Sequence, residues 1–216
     1  MNIVEIKNLT FYYGRKKALD NVSLNIKKGS LNLFIGHNGS GKSTTIKIIL
    51  GFLKLKKKDK NKVLVKTKSI SYIEEKTKLP NHLRVYEFLD DLKKLSITIC
   101  DYDYYAKCLD LKLNEYIGNL SKGNRQKVAL VQLLMGDEDI LILDEPTNGL
   151  DDIHIKMLVK LLKAKKDEGK TIIISTHYKE LFNSINHEEF CFNEGRVKWL
   201  SLICDFYWIK SLYIFY

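Results

Sequence analysis

The run Gly36-His37-Asn38-Gly39-Ser40-Gly41-Lys42-Ser43-Thr44 constrains this chain more than any other feature. It fits the pattern G-x-x-x-x-G-K-[ST], and its flanks fit as well. Leu31-Asn32-Leu33-Phe34-Ile35 reads as a buried strand, and Lys42 to Leu50 reads as a helix stopped by Gly51. Strand, glycine-rich loop and helix in that order bring successive backbone N–H groups to a helix N-terminus, where the helix dipole also favours negative charge. Such a loop implies a bound nucleoside triphosphate. Lys42 is expected to reach the β- and γ-phosphates, and the Ser43 hydroxyl to ligate the magnesium ion that travels with them.

Kinases, GTPases and motors share such a loop, so the rest of the chain must discriminate. Ile140-Leu141-Ile142-Leu143-Asp144-Glu145 is an apolar strand ending in two carboxylates, as expected of a parallel strand that delivers its C-terminal residues to the nucleotide. Successive strand residues point to opposite faces, so the two acids serve two ligands only as the chain turns, and Pro146 is suited to make that turn. Asp144 is expected to hold magnesium and Glu145 to orient the attacking water. Thr171-Ile172-Ile173-Ile174-Ser175-Thr176-His177 reads as a second buried strand, ending where an imidazole could meet a γ-phosphate. Ser121 is a good cap for a helix whose buried face is Val128, Leu130, Val131 and Leu134. Local spacing says nothing of nucleotide there.

With 216 residues, two prolines and no Gly/Ser-rich stretch, the chain reads as one domain with an embedded lobe rather than as two joined by a linker. Cys100, Cys108, Cys191 and Cys204 show no C-x-x-C pairing, and Met1-Asn2-Ile3-Val4-Glu5 is not a secretory leader, so reduced thiols in the cytoplasm are expected. Much of the net charge of +10 sits in Lys54-Leu55-Lys56-Lys57-Lys58-Asp59-Lys60-Asn61-Lys62. That run reads either as a solvated hairpin or as a contact for an anion, with ATP, nucleic acid and anionic lipid all fitting. Base readout is disfavoured because stacking aromatics are not interleaved with it. No uncharged segment approaches the roughly 20 apolar residues needed to cross a bilayer, so a membrane pore would have to be another polypeptide. The segment from Leu200 to Tyr216 is aromatic but carries Asp205 and Lys210. Leu200, Ile203, Cys204 and Tyr207 would share one face of a helix packed on the core, with contact to a partner or a membrane surface, or an atypical chain end, as the other readings.

Taken together, these residues resemble the ATP-binding subunits of ABC transporters, in which all these motifs occur in this order. The resemblance covers residues 1 to about 198. It implies an α/β fold: a P-loop NTPase core with a mainly parallel central sheet, a small N-terminal antiparallel sheet, and an inserted helical lobe at about 79–135. The ATPase domain would span 1–199, with an aromatic tail at 200–216. Val85, Phe88, Leu89, Leu92 and Leu95 are expected to form the lobe's apolar face, and the region 54–68 implies an abbreviated small sheet.

On the same resemblance, Tyr13, with Tyr12 adjacent, stacks on adenine. Gly36, Asn38, Gly39, Ser40, Gly41, Lys42, Ser43 and Thr44 bind nucleotide. Ser121 and Gly123 contact the ATP of a partner protomer, although Lys122 and Asn124 depart from the common L-S-G-G-Q. Gly149-Leu150-Asp151 looks like the family's D-loop, and His177 falls on its switch histidine. Glu75 stands where a magnesium-contacting glutamine is usual, beside Ser43 and Asp144. The resemblance further implies ATP and Mg2+ as cofactors, hydrolysis assisted by Glu145, His177 and Lys42, and a head-to-tail pair of ATPase subunits, identical or different. A separate transmembrane permease would recognise the cargo, no specific nucleic acid is expected, and the subunit would lie on the cytoplasmic face of the membrane. Export of drug, peptide or lipid-like cargo is the preferred reading. A soluble relative acting on nucleic acid or in cofactor assembly, and a weakly hydrolysing nucleotide-gated regulator, stay open.

Overall fold

A computed structural model describes residues 1–95 and 102–200. The N-terminal hairpin pairs β1 (Asn2–Tyr13) with β2 (Lys16–Lys27) antiparallel across a turn at Gly14. Alternation along β2 buries Leu19, Val22, Leu24 and Ile26 and leaves the intervening residues toward solvent. The next strand, β3 (Leu31–Ile35), leads through the glycine-rich loop into α1 (Lys42–Ile49). Gly51, at φ 73°, ends that helix in the left-handed conformation open to glycine.

A short strand, β4 (Val63–Val65), adds to the free edge of β1, giving a small sheet ordered β2-β1-β4. Its three residues make the abbreviated sheet that 54–68 implied. The lysine run ahead of it is not a hairpin. Lys57–Lys62 forms a 3₁₀ helix, anchored by Asp59, which is buried and paired with Lys62 at 2.9 Å.

The central sheet takes β5 (Ile70–Ile73), β6 (Ile140–Asp144), β7 (Thr171–Thr176), β8 (Glu188–Asn193) and β9 (Arg196–Leu200) together with β3, in the order β5-β6-β7-β3-β8-β9. The first five strands run parallel and β9 returns antiparallel on β8. Continuous apolar runs such as Ile140–Leu143 and Ile172–Ile174 are what a parallel sheet covered on both faces demands, and a period of two divides them between two cores. Leu31, Leu33, Leu141, Leu143, Ile172 and Ile174 face α2 (Val85–Leu95), α3 (Tyr102–Cys108), α4 (Lys122–Leu134) and α5 (Asp152–Asp167). Phe34, Ile142, Ile173 and Phe190 face α1 and the small sheet.

On α2, Val85 and Leu89 are buried and Phe88 and Leu92 pack at the core edge, but Leu95 is 81% exposed. The apolar stripe therefore stops one turn before the helix does. Leu200 closes β9 opposite Glu189 and so is not part of a helix; the remainder of the tail, 201–216, lies outside the described residues.

Candidate nucleotide site

The site gathers at the C-terminal ends of β3, β6 and β7, where parallel α/β sheets present their ligands. Gly36 adopts φ 153°, and a Cβ there would sit 2.3 Å from Phe192 O, so no other residue lets the loop leave β3 on this path. The turn between β8 and β9 clamps the loop from outside. Gly195 N–H donates to Ser40 O at 2.9 Å, and the His37 ring lies 3.2 Å from Asn193 Oδ1.

Lys42, at the first position of α1, is buried, and its ammonium donates to the carbonyls of Gly36 and His37, thereby folding the loop around itself. Burial pulls its pKa down, while Glu145, Asp144 and Glu75 oppose that shift. Asp144 ends β6 in a buried position. Glu145 follows at φ 49°, a left-handed conformation costing about 1–2 kcal/mol for a residue with a side chain. The chain therefore turns at Glu145, one residue before the proline expected to do it. The Glu145 N–H donates to Ser175 O at 2.9 Å, tying the turn to β7.

Burial, reinforced by Asp144 and Glu75, raises the Glu145 carboxyl from 4.5 to about 7, against the opposing pull of Lys42 and a backbone hydrogen bond from His177. His177 Nε2 bonds Asn38 Oδ1 at 3.1 Å. It also lies 3.1 Å from Glu145 Oε1, without the alignment of a hydrogen bond. Burial and Lys42 lower the imidazole's pKa and favour its neutral form. The loop, both acids and the histidine thus come together. Glu75 sits exposed in the turn after β5, near enough to act electrostatically on all three neighbours.

Three of the four buried side-chain oxygens without a hydrogen-bond partner among the described residues are here: Ser40 Oγ, Glu145 Oε1 and Ser175 Oγ. Each unpaired group costs about 1–3 kcal/mol, so their concentration marks a place built for a polar ligand. Among the described residues no three His, Cys, Asp or Glu side chains could hold a metal by themselves. Ser43 and Asp144 suit magnesium, which takes one or two protein oxygens and fills its octahedron with water and phosphate.

A second group forms around the N-terminus of α4. Ser121 Oγ accepts from Asn124 N–H at 3.2 Å and caps the helix. Gly123 packs against the Pro146–Gly149 turn so closely that a Cβ would lie 2.4 Å from Gly149 O. Buried Gln126 donates to Pro146 O at 3.1 Å. Lys127 Nζ meets His154 Nε2 at 2.8 Å, and His154 Nδ1 meets Asp151 Oδ1 at 2.6 Å. With Lys127 donating, the imidazole is fixed as the tautomer that donates to Asp151. Sequence reasoning gave no role to Gln126, Lys127 or His154, because partners up to 27 residues apart leave no local signal. The Ser121 and Asp151 hydrogen bonds described stay within this second group and do not reach 36–44.

Tyr13 is exposed at the end of β1, edge-on to Phe11 at 5.2 Å, and Tyr12 is exposed beside it. Tyr13 pairs with Lys16, two residues before Ala18, whose carbonyl backs Gly41.

A family model described as ABC transporter matches residues 19–148. The chain belongs to the ABC transporter family. An uncharacterised ABC transporter ATP-binding protein of Methanocaldococcus jannaschii is 35% identical over 82% of this chain and 69% of its own length. A zinc uptake system ATP-binding protein of Listeria monocytogenes is 32% identical over 86% and 80%. A lantibiotic transport ATP-binding protein of Streptococcus pyogenes is 33% identical over 81% and 80%. Among solved structures, a dimeric post-hydrolysis ATP-binding cassette bound to ADP and Pi superposes with a TM-score of 0.75 at 25% identity, covering 94% of this chain and all of that one. This ABC transporter chain is an ATP-binding subunit and an ATP hydrolase of the P-loop class, and cassettes of its family act with transmembrane subunits.

Proposed function

We propose that this subunit powers export of a drug, peptide or lipid-like cargo, on the cytoplasmic face of a membrane and bound to a separate permease chain. The observation that carries the ATPase half of this reading is the buried acid pair Asp144–Glu145 facing Lys42, with unpaired oxygens around it. The export half draws on the lantibiotic transport relative. A relative of similar identity is named for zinc uptake, and it favours import as the second reading.

In the reaction, Lys42 leaves the loop carbonyls and meets the β- and γ-phosphates, while backbone N–H groups of 36–44 cradle them. Tyr13 stacks on the adenine. Ser43, Asp144 and Glu75 would hold Mg2+, which would neutralise charge on the phosphates. Glu145 accepts a hydrogen bond from the attacking water, and His177 turns from Asn38 toward the γ-phosphate. Ser121, Gly123 and Asp151 serve the nucleotide of the second ATPase subunit, so loss of the γ-phosphate loosens the pair.

Two measurements test this. Lys42→Ala should lose ATP binding, and Glu145→Gln should keep binding while turnover falls by more than about 100-fold, the scale of a removed catalytic base. Unchanged ATPase rates in both would sink the site. Tagged Glu145→Gln protein captured from cells with ATP present should bring down a multi-spanning membrane protein, and cargo accumulation in cells lacking that protein should rise. Capture of nucleic acid or assembly factors instead would move the chain to a soluble class.

A further inference from the structure

Ser175 is completely buried, and its hydroxyl has no hydrogen-bond partner. Alanine would fill the same slot without the penalty of an unpaired buried group. The location explains why a hydroxyl stands there. In the parallel register Ser175 pairs with Asp144 on one side and with Phe34 on the other. Paired residues of a ladder project to the same face of the sheet. That face is covered by α1, because Phe34, Ile142, Ile173 and Ile46 form one apolar cluster on it, and Ile142 and Ile173 lie two residues before Asp144 and Ser175. Ser175 is therefore between the Asp144 carboxylate and the strand that launches the phosphate loop.

Asp144 and Ser175 share no hydrogen bond with each other among those described, and Glu145 Oε1 beside them is also unpaired. Ser175 Oγ and Glu145 Oε1, on neighbouring strands' ends, thus both keep unused acceptor capacity. A water molecule bound to a divalent cation spends its lone pair on the metal and offers both protons, so it needs two acceptors. Asp144 carboxylate and Ser175 Oγ supply two.

We propose that the Ser175 hydroxyl positions the magnesium ion of the bound nucleotide, accepting a hydrogen bond from a metal-bound water that Asp144 also holds. The proposal rests on the nucleotide reading of the 36–44 loop. Ser175 acts through the water and Asp144, so it is a positioning residue.

The test compares wild type, Ser175→Ala and Ser175→Thr by thermal unfolding and by equilibrium binding of a fluorescent ATP analogue, each in excess Mg2+ and in EDTA. Without nucleotide, Ser175→Ala should unfold at or above the wild-type temperature, since it removes an unpaired group. Its affinity in EDTA should equal wild type, and in Mg2+ it should be weaker by roughly tenfold to a hundredfold, the scale of one hydrogen bond to a charged network. Ser175→Thr, which keeps the hydroxyl, should recover the Mg2+-dependent affinity. Equal affinities of Ser175→Ala and wild type in both conditions, equal weakening in both, or a lower nucleotide-free unfolding temperature would each overturn the proposal alone. Absence of any binding by wild type would overturn the nucleotide reading and the proposal with it.

Discussion

Glu145 shows how a single position combines sequence, strain and chemistry. It is 6% exposed, has a left-handed backbone and carries a carboxyl raised from 4.5 to about 7. A carboxyl whose folded pKa is raised binds its proton more tightly when folded, so its stabilising share is complete below 4.5 and is lost as pH rises through about 7. Glu145→Gln, without nucleotide or divalent cation, should therefore be more stable than wild type at pH 8 by about 1–3 kcal/mol, with the gain shrinking as pH falls toward 4.5. Urea unfolding at several pH values measures it. A difference constant from pH 5 to 8 would show that the charge is not held at a cost. The placement of Glu145 at the end of a buried strand was legible from an apolar run ending in two acids. Its left-handed turn was not, because Pro146 next to it offers the simpler local signal, and Ser175, although its strand was legible, carried no signal of its own among the apolar residues around it.

At the level of elements, β3 was legible to the residue and β6 and β7 to within one at their C-terminal ends, since strands buried on both faces read as unbroken apolar runs. The start of α4 was equally clear from the Ser121 cap. The 3₁₀ helix at Lys57–Lys62 was not, because a lysine run has no apolar period and only Asp59, turned inward, fixes its shape. Nor could local spacing show that α4 rests on the turn after β6. That contact yields a prediction. Gly123→Ala would push a methyl group to 2.4 Å from Gly149 O, backbone against backbone, with no flexible side chain to give way. Overpacking of this kind costs about 1–3 kcal/mol, and for a chain of this size each kcal/mol lowers the unfolding temperature by roughly 2–4 °C. Calorimetry should show that drop, and ATPase activity should fall with it as Ser121 is displaced. Unchanged values in both assays would mean that α4 and the turn are not tightly coupled.

Across the whole molecule, the two groups of site residues sit on different elements and are joined through the turn after β6, where Asn148 N–H donates to Glu145 O at 3.3 Å. The phosphate loop, Asp144, Glu145 and His177 line the ends of the central strands. Ser121, Gly123 and Asp151 are held together by Gln126, Lys127 and His154 around the start of α4 and α5. A helix N-terminus capped by Ser121 is an anion-binding element, yet no hydrogen bond described for Ser121 reaches the loop of its own chain. If two copies face each other about a two-fold axis, each Ser121 group meets the other copy's loop and two composite sites form. This can be tested by complementation. Lys42→Ala destroys the loop of its own copy, and Ser121→Arg blocks the group that the same copy offers to its partner. Each variant alone has only damaged sites. Mixed in equal amounts, about half the dimers pair one of each, and in those the Ser121→Arg copy's intact loop meets the Lys42→Ala copy's intact Ser121. One site of two is then whole, so the mixture should recover up to about a quarter of the wild-type ATPase rate. A rate no greater than the average of the two variants alone would mean that nucleotide is hydrolysed within a single chain.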